Sequence, residues 1–269
     1  MGVRSFGRDA DGLRPVKVTR DYLKNCYGSC LIECGDTKVL CAATIEEGVA
    51  SWLKGQGRGW VTAEYAMLPA STAKRTRREI NGQKGRTQEI QRLIGRSLRS
   101  AVDLSLLGEV TVTIDCDVIQ ADGGTRTASV TGAWIALHDA LNTWRKAGKL
   151  RANPVIAQVA AVSVGMVDGG ILLDLDYRED SRAEIDMNLV MNAGHEFIEV
   201  QGTGERATFD RHRLDRLLNS GEKGLGELLA LQKAAIASDD PVLLIDGILQ
   251  DATGADLTES SDGTVLGAR

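Results

Sequence analysis

The feature that most constrains this chain is a strand that leads through a glycine loop into a long helix. Residues 109–120 alternate between apolar and polar side chains, which predicts a strand with one buried face. Residues 128–147 carry an apolar stripe at helical spacing, and Gly148 follows them. Between the two elements, Gly123 and Gly124 allow the backbone to approach a ligand closely. This order places the start of the helix beside the glycine loop.

The start of this helix has the chemistry of an anion-binding site. Its first turn offers unpaired backbone N–H groups, and Thr125 and Arg126 add a hydroxyl and a guanidinium. These donors suit phosphate, and Gly124 leaves room for a backbone contact. The sequence therefore predicts a phosphate site where the loop meets the helix.

Length and composition place the chain among folded globular proteins. Its 269 residues, 43% hydrophobic and 26% charged, suffice for one large domain or two lobes. The N-terminal residues lack the apolar stretch of a signal peptide. The longest apolar segment, residues 155–167, is shorter than the ~18 residues that a membrane helix needs. We therefore expect a soluble, cytoplasmic protein with no membrane partner.

The five cysteines allow two interpretations. An odd number without a secretion signal argues against a disulfide framework. Cys26, Cys30 and Cys34 are evenly spaced, which admits a zinc site. A hairpin turn at residues 35–36 instead predicts that all three share one face of a strand. Packing in the core is favoured, because free cysteine is commonly a small buried residue.

Charge is concentrated in one part of the chain. Residues 71–99 hold nine basic and two acidic side chains, a local charge of +7 in a chain whose net charge is −5. A basic strip on an acidic body suits a polyanion that enters at one place, although a solvated helix face plus a disordered loop explains it equally well. Residues 69–86, the basic loop, predict a long mobile connection. Thr87 is the predicted N-cap of the helix that follows.

The second half of the chain predicts another lobe. Residues 149–154 resemble a linker, and strands are predicted at 155–167, 171–175, 185–191 and 195–201. Two helices are predicted at 210–219 and 225–238, and the polar residues 250–269 predict a tail. We therefore divide the chain into an N-terminal lobe with the basic loop and phosphate site, a C-terminal lobe and a C-terminal extension, over residues 1–150, 151–240 and 241–269.

The second lobe contains an acidic loop with six carboxylates between residues 174 and 186. Mg²⁺ prefers oxygen ligands, and one or two protein carboxylates plus a substrate phosphate suffice to bind it. Asp186 lies in a predicted strand, and a rigid strand presents a ligand better than a loop does. Taken alone, the segment favours a solvated acidic turn with Arg178 and Arg182 as partners.

Seven separate segments resemble the ribonuclease PH family. Together they cover roughly residues 8–240 in the order found in that family, which makes the resemblance highly specific. More distantly, they resemble polynucleotide phosphorylase and the ring subunits of the exosome. The segments are residues 13–16, 34–41, 59–69, 85–96, 115–132, 179–188 and 199–203.

The resemblance implies an α+β fold with two lobes, in which mixed sheets pack against helices. It implies a phosphorolytic 3′→5′ exoribonuclease that trims tRNA precursors at their 3′ ends, releases nucleoside diphosphates and works reversibly. It also implies a homo-hexamer built as a trimer of dimers, with Mg²⁺ or Mn²⁺ as cofactor and inorganic phosphate as co-substrate. The motif match assigns phosphate binding to Arg86, Gly124, Thr125 and Arg126, metal binding to Asp180 and Asp186, and catalysis to Arg86, Arg126, Asp180 and Asp186.

Contacts with RNA are expected from the basic strip, at Lys74, Arg75, Arg77, Arg78, Arg92 and Arg96. Two other functions stay open. Some ring subunits of the family lack catalytic residues and only bind RNA, although all the expected site residues are present here. A small-molecule phosphotransferase would also use a glycine loop and an acidic loop, but the chain has no P-loop signature.

Overall fold

The computed structural model describes residues 3–80, 82–259 and 265–267. A 3₁₀ turn at Ser5–Gly7 precedes the regular elements. The strands and helices are, in chain order, β1 (Val16–Arg20), β2 (Gly28–Cys34), β3 (Thr37–Glu47), β4 (Trp60–Met67), α1 (Gly85–Arg99), α2 (Leu104–Leu107), β5 (Val110–Gln120), α3 (Thr125–Lys146), β6 (Val159–Val167), β7 (Gly170–Leu173), α4 (Tyr177–Asp180), β8 (Ile185–Asn192), β9 (Phe197–Thr203), α5 (Arg211–Ala237), β10 (Val242–Ile245), β11 (Ile248–Gln250), β12 (Leu257–Glu259) and β13 (Val265–Gly267).

The first sheet has seven strands in the order β11-β10-β1-β2-β3-β5-β4. Its neighbours are antiparallel except for β4 and β5, which are parallel. The alternation predicted for β5 is confirmed, with Val112, Ile114 and Val118 buried on one face. Cys30 and Cys34 are buried on one face of β2 as core residues, as predicted. The prediction was wrong for Cys26, which precedes β2 and is only half-buried.

The second sheet has four antiparallel strands in the order β7-β6-β8-β9. Helix α3 packs against β2 and β3 of the first sheet and against β6 of the second. It is therefore buried on nearly every side, and its sequence has more than the single apolar stripe we expected. The observed class is α+β, with mixed and antiparallel sheets packed on helices.

Two helix starts differ from the sequence predictions. Helix α3 begins at Thr125, earlier than residue 128. Helix α1 begins at Gly85, so Thr87 is not its N-cap; the Thr87 hydroxyl instead donates to Glu79 at 3.2 Å. The N-cap is Lys84, and no side chain caps the helix.

The two helices predicted near residues 210–238 are one continuous helix, α5. Gly221 and Gly224 lie at or beside the predicted gap between the two helices, and both are packed against the second sheet. A Cβ at Gly221 would collide with Leu189 of β8, and one at Gly224 would lie 2.8 Å from Leu173 of β7. The glycines therefore let α5 approach the second sheet closely, and this burial offsets their low helix propensity.

Residues 241–269, predicted as a C-terminal extension, contribute two strands to the first sheet. Strand β10 pairs with β1, and β11 pairs with β10. Strands that precede the second sheet in the sequence and strands that follow it thus belong to one seven-stranded sheet. The domain boundaries at residues 150 and 240 stay a prediction. None of the helices in the described part of the chain has the length and apolar character that a bilayer crossing requires.

Candidate active site

The predicted phosphate and metal residues line one cavity of about 220 Å³, which we call the site cavity. The glycine loop and the start of α3 form one wall, and α1 contributes Arg86. The opposite wall comes from the second sheet and from α4. Its lining residues are Met67, Thr72, Arg86, Ala121, Gly123, Gly124, Thr125, Arg126, Ser163, Leu175, Tyr177, Asp180, Asp186 and Asn188.

The glycine loop is shaped by contact between the two walls. Gly123 and Gly124 have φ values of 75° and 63°, which side-chain-bearing residues rarely adopt. A Cβ at Gly123 would lie 2.5 Å from the Leu175 carbonyl oxygen. The close approach that glycine permits here is therefore to the backbone that leads into α4.

The cationic wall consists of Thr125, Arg126 and Arg86. Thr125 is the first residue of α3, and its hydroxyl lies 2.8 Å from the hydroxyl of Tyr65 on β4. Arg86 is exposed in the first turn of α1. No described residue forms a hydrogen bond or ion pair with the Arg86 side chain. Its five N–H groups are thus available to an anion.

Arg126 is held by one residue from each side of the cavity. Its Nη1 donates to Gln201 Oε1 of β9 at 2.7 Å and to Glu89 Oε1 of α1 at 3.2 Å. Gln201 Nε2 in turn donates to the same Glu89 oxygen at 2.7 Å. Both bonds use Nη1, so the edge formed by Nε and Nη2 can serve a phosphate in the bidentate way that arginine favours.

The acidic wall consists of Asp180 and Asp186. Asp180 ends α4, and Asp186 is half-buried on β8. Burial raises the pKa of Asp186 to about 6, and the nearby Asp180 carboxylate adds to the effect. Burial also raises the pKa of Asp180, while Arg86 and Arg126 oppose the shift. Two carboxylates that disfavour each other's charge, facing a cationic wall, are suited to a shared cation.

Comparison with known proteins identifies the family. Residues 12–141 match the first domain and residues 157–224 the second domain of the 3′ exoribonuclease family. Ribonuclease PH of Corynebacterium glutamicum (strain R) is 58% identical over 235 residues, which are 87% of this chain and 96% of that protein. The chain belongs to the ribonuclease PH family. It is a phosphate-dependent 3′→5′ exoribonuclease, that is, a phosphorolytic nucleotidyltransferase.

Solved structures share the fold. Rice (Oryza sativa) Rrp46 superimposes with a TM-score of 0.71 at 19% identity, covering 87% of this chain and 100% of that one. The Archaeoglobus fulgidus exosome with RNA bound to the active site superimposes with a TM-score of 0.72 at 22% identity, covering 84% and 91%. The α+β architecture described above is thus that of the ribonuclease PH family.

Three of the six carboxylates in the acidic loop are structural. Asp174, Asp176 and Glu179 are buried, and the N-terminal segment supplies their partners. Arg14 binds Asp174 at 2.8 Å, and Arg8 binds Glu179 at 2.9 Å. Asp176 and Glu179 also form the capping box of α4, the helix that ends in Asp180.

The partners predicted for the acidic loop, Arg178 and Arg182, do not bind these carboxylates. Arg182 lies 3.5 Å from Asp168, and Glu184 accepts the backbone N–H of Gly169. No local pattern could have indicated Arg8 and Arg14, because about 160 residues separate them from the loop. Of the six carboxylates in the acidic loop, Asp180 and Asp186 line the site cavity.

Three of the six predicted RNA-binding residues, Arg77, Arg78 and Arg92, line two depressions beside the site cavity. A cleft of about 420 Å³ shares Met67 and Arg86 with the cavity and contains Arg77 and Arg78. An open groove of about 350 Å³ shares Gln83 with the cleft and contains Arg92 and Arg99. We call the cleft and the groove together the basic track. Lys74 and Arg75 are exposed in the basic loop, and Arg96 binds Glu199 at 2.6 Å.

Proposed function

We propose that the site cavity is the phosphorolytic active site and that the chain trims the 3′ ends of tRNA precursors. The phosphate-binding motif and the carboxylates of Asp180 and Asp186 all line this one cavity, and this observation supports the proposal. The fold brings them together, because α1, α3, α4 and β8 each supply only part of the lining. A small-molecule phosphotransferase would not need the basic track, and a non-catalytic RNA-binding subunit would not need the paired carboxylates.

In this reaction inorganic phosphate attacks the last phosphodiester and a nucleoside diphosphate leaves. Phosphoryl transfer of this kind depends on positioning and on stabilisation of charge. Because the nucleophile is already anionic at neutral pH, it needs no basic side chain to activate it. This agrees with the lining of the site cavity, which contains no histidine among the described residues.

The main electrostatic task is to bring two anions together. Arg86 and Arg126 offset the repulsion between phosphate and the RNA backbone, and Thr125 donates a further hydrogen bond. The helix N-terminus supplies only about 0.3–1 kcal/mol when exposed, so the arginines dominate. Because the bonds broken and formed are of the same kind, the reaction is readily reversible.

Asp180 and Asp186 fit the requirements of a bound Mg²⁺ or Mn²⁺. Within residues 3–80, 82–259 and 265–267, no group of three or more His, Cys, Asp or Glu side chains is arranged to hold a metal alone. A pair of carboxylates that leaves room for substrate oxygens is the arrangement that Mg²⁺ prefers in phosphate chemistry. When bound, the cation stabilises negative charge on the scissile phosphate and on the leaving 3′-oxygen.

The basic track gives the RNA an electrostatic path to the site cavity. Lys74, Arg75, Arg77 and Arg78 lie in the exposed loop that borders the cleft, and Arg92 lies farther along α1. We assign the backbone contacts of the tRNA precursor to this track, with Arg96 at its edge. The ribonuclease PH family and the exosome fold further support a cytoplasmic homo-hexamer built as a trimer of dimers.

The test compares Arg126→Ala with the matched control Arg145→Ala, which lies at the far end of the same helix. Each variant is incubated with a 3′-extended tRNA, with and without phosphate, and nucleoside diphosphate is measured. We expect Arg126→Ala to lose about 10³–10⁵-fold in rate while RNA still binds, since arginines that stabilise such transition states are worth this much. Near-wild-type turnover at saturating phosphate would refute the assignment.

A further inference from the structure

We propose that Tyr65 is a positioning residue that turns the Thr125 hydroxyl into a hydrogen-bond donor for the attacking phosphate. The proposal rests on the phosphate site described above and goes one residue beyond it. Tyr65 does not line the site cavity; it forms part of the neighbouring cleft, and its hydroxyl is hydrogen-bonded to Thr125, which does line the cavity.

The two hydroxyls form a buried pair between separate elements. Tyr65 on β4 is 4% exposed and Thr125 at the start of α3 is 8% exposed. Their oxygens lie 2.8 Å apart, and either atom can be the donor. Among the described residues, Thr125 is the only hydrogen-bond partner of the Tyr65 hydroxyl. Leaving that hydroxyl buried without a partner would cost free energy, so the pair is fixed in place.

A bound phosphate removes the ambiguity in the direction of this hydrogen bond. A charged phosphate oxygen only accepts, and a threonine hydroxyl has a single proton to give. If Thr125 gave its proton to Tyr65, its lone pairs would face the anion. With phosphate in the cavity, Tyr65 must therefore donate to Thr125, and Thr125 donates to phosphate. Such a chain is cooperative, because each hydrogen bond polarises the next.

The electrostatic surroundings keep Tyr65 able to donate. Burial raises the pKa of Tyr65, although the Thr125 hydrogen bond and the charges of Arg86 and Arg126 oppose the shift. The hydroxyl is thus protonated at neutral pH. The same two arginines are the predicted phosphate ligands, and they line the site cavity together with Thr125, the partner of Tyr65.

The first measurement compares Tyr65→Phe with the matched control Tyr22→Phe, whose hydroxyl lies on a surface loop. We expect Tyr65→Phe to raise KM for phosphate about three- to tenfold, the usual worth of one hydrogen bond. The kcat at saturating phosphate and KM for RNA should stay unchanged, as should all constants of Tyr22→Phe. A purely structural role for Tyr65 predicts a lower melting temperature with an unchanged KM for phosphate, and that result would overturn the proposal.

The second measurement adds Thr125→Val and the double variant Tyr65→Phe/Thr125→Val. If Tyr65 acts through Thr125, the double variant should match Thr125→Val in KM for phosphate, because the relay is already broken. Fully multiplicative effects would mean that Tyr65 acts independently, and the proposal would fail. The increase in melting temperature that phosphate produces should follow the same pattern, since it reports binding without turnover.

These variants also separate the inference from the function on which it rests. An unchanged KM for phosphate in Thr125→Val would show that Thr125 does not bind phosphate, and both assignments would be wrong. A raised KM in Thr125→Val with an unchanged KM in Tyr65→Phe would leave the phosphate site standing and refute the role of Tyr65 alone.

Discussion

Burial in the site cavity makes the charge of an individual residue unfavourable for the stability of the folded state. Asp186 is half-buried near Asp180, and both effects raise its pKa to about 6. In the unfolded chain an aspartate has a pKa of about 3.9. Ionised Asp186 therefore destabilises the metal-free fold above about pH 6, and the penalty disappears below about pH 4 where both states are protonated. The ionised carboxylate that can bind a cation thus lowers the stability of the metal-free protein.

This relation predicts opposite effects of Asp186→Asn on stability and activity. In the presence of a chelator at pH 8, the variant should gain at most about 3 kcal/mol in free energy of unfolding, because one pKa unit corresponds to 1.36 kcal/mol. The gain should vanish near pH 4. Phosphorolysis should fall sharply at every metal concentration. Urea denaturation at the two pH values checks the first expectation, and equal or lower stability at pH 8 would contradict it.

At the scale of elements, the basic loop and α1 form a charged unit beside the site cavity. The loop supplies exposed cations, and α1 continues the basic track with Arg92. The Arg78 charge also lowers the pKa of Asp117 on the open face of the first sheet, although burial raises it more. The basic loop thus acts electrostatically on the sheet, while its cations at Lys74, Arg75, Arg77 and Arg78 are exposed to solvent.

Neutralising Lys74, Arg75, Arg77 and Arg78 together should weaken RNA binding and flatten its salt dependence. For single-stranded RNA the slope of log K against log salt changes by about 0.7 per phosphate contact, so the loss of four contacts reduces it by about 3. The control neutralises four residues with the same total charge, which lie at the C-terminal end of α3 or shortly after it: Arg145, Lys146, Lys149 and Arg151. If the loop variant kept the wild-type slope, the loop would lie outside the RNA path.

Prediction from the sequence succeeded where local pattern decides structure. Alternation predicted β5, which is confirmed. The motif resemblance named Arg86, Thr125, Arg126, Asp180 and Asp186; the fold brings these residues to one cavity, and their roles there stay a prediction. Prediction from the sequence failed where distant contacts decide. The continuity of α5 depends on glycines packed against the second sheet, and Tyr65, Glu89 and Gln201 reach the site only through tertiary structure. No spacing in the sequence signals such partners.

For the whole molecule, a buried network joins the N-terminal segment to the loop that carries the acidic wall. Arg14 is 1% exposed and binds both oxygens of Asp174. Burial opposes ionisation of Asp174, but Arg14 and Arg8 together hold its pKa below the usual value. The stability that this pair contributes is present above the unfolded pKa of about 3.9 and is lost as the pH falls through the lower folded value.

Arg14→Met should destabilise the fold by about 3–5 kcal/mol at pH 7, since it leaves a buried carboxylate short of its main partner. Arg14→Met/Asp174→Asn should recover much of this loss, because it removes the unpaired buried charge and asparagine tolerates the φ of 55° at this position. Chemical denaturation of the three proteins at pH 7 measures both effects. A double variant as unstable as Arg14→Met would show that packing, rather than charge, dominates at this place.

The pairing of β10 with β1 affects the order in which the first sheet assembles during translation. Strand β1 leaves the ribosome early, but its neighbour β10 is synthesised only after β2 to β9 and α5. Until then one edge of the nascent sheet exposes unpaired backbone groups, which other chains can bind. The sheet is therefore completed only after α5 has been synthesised, and interrupted translation upstream of Val242 would release an aggregation-prone product.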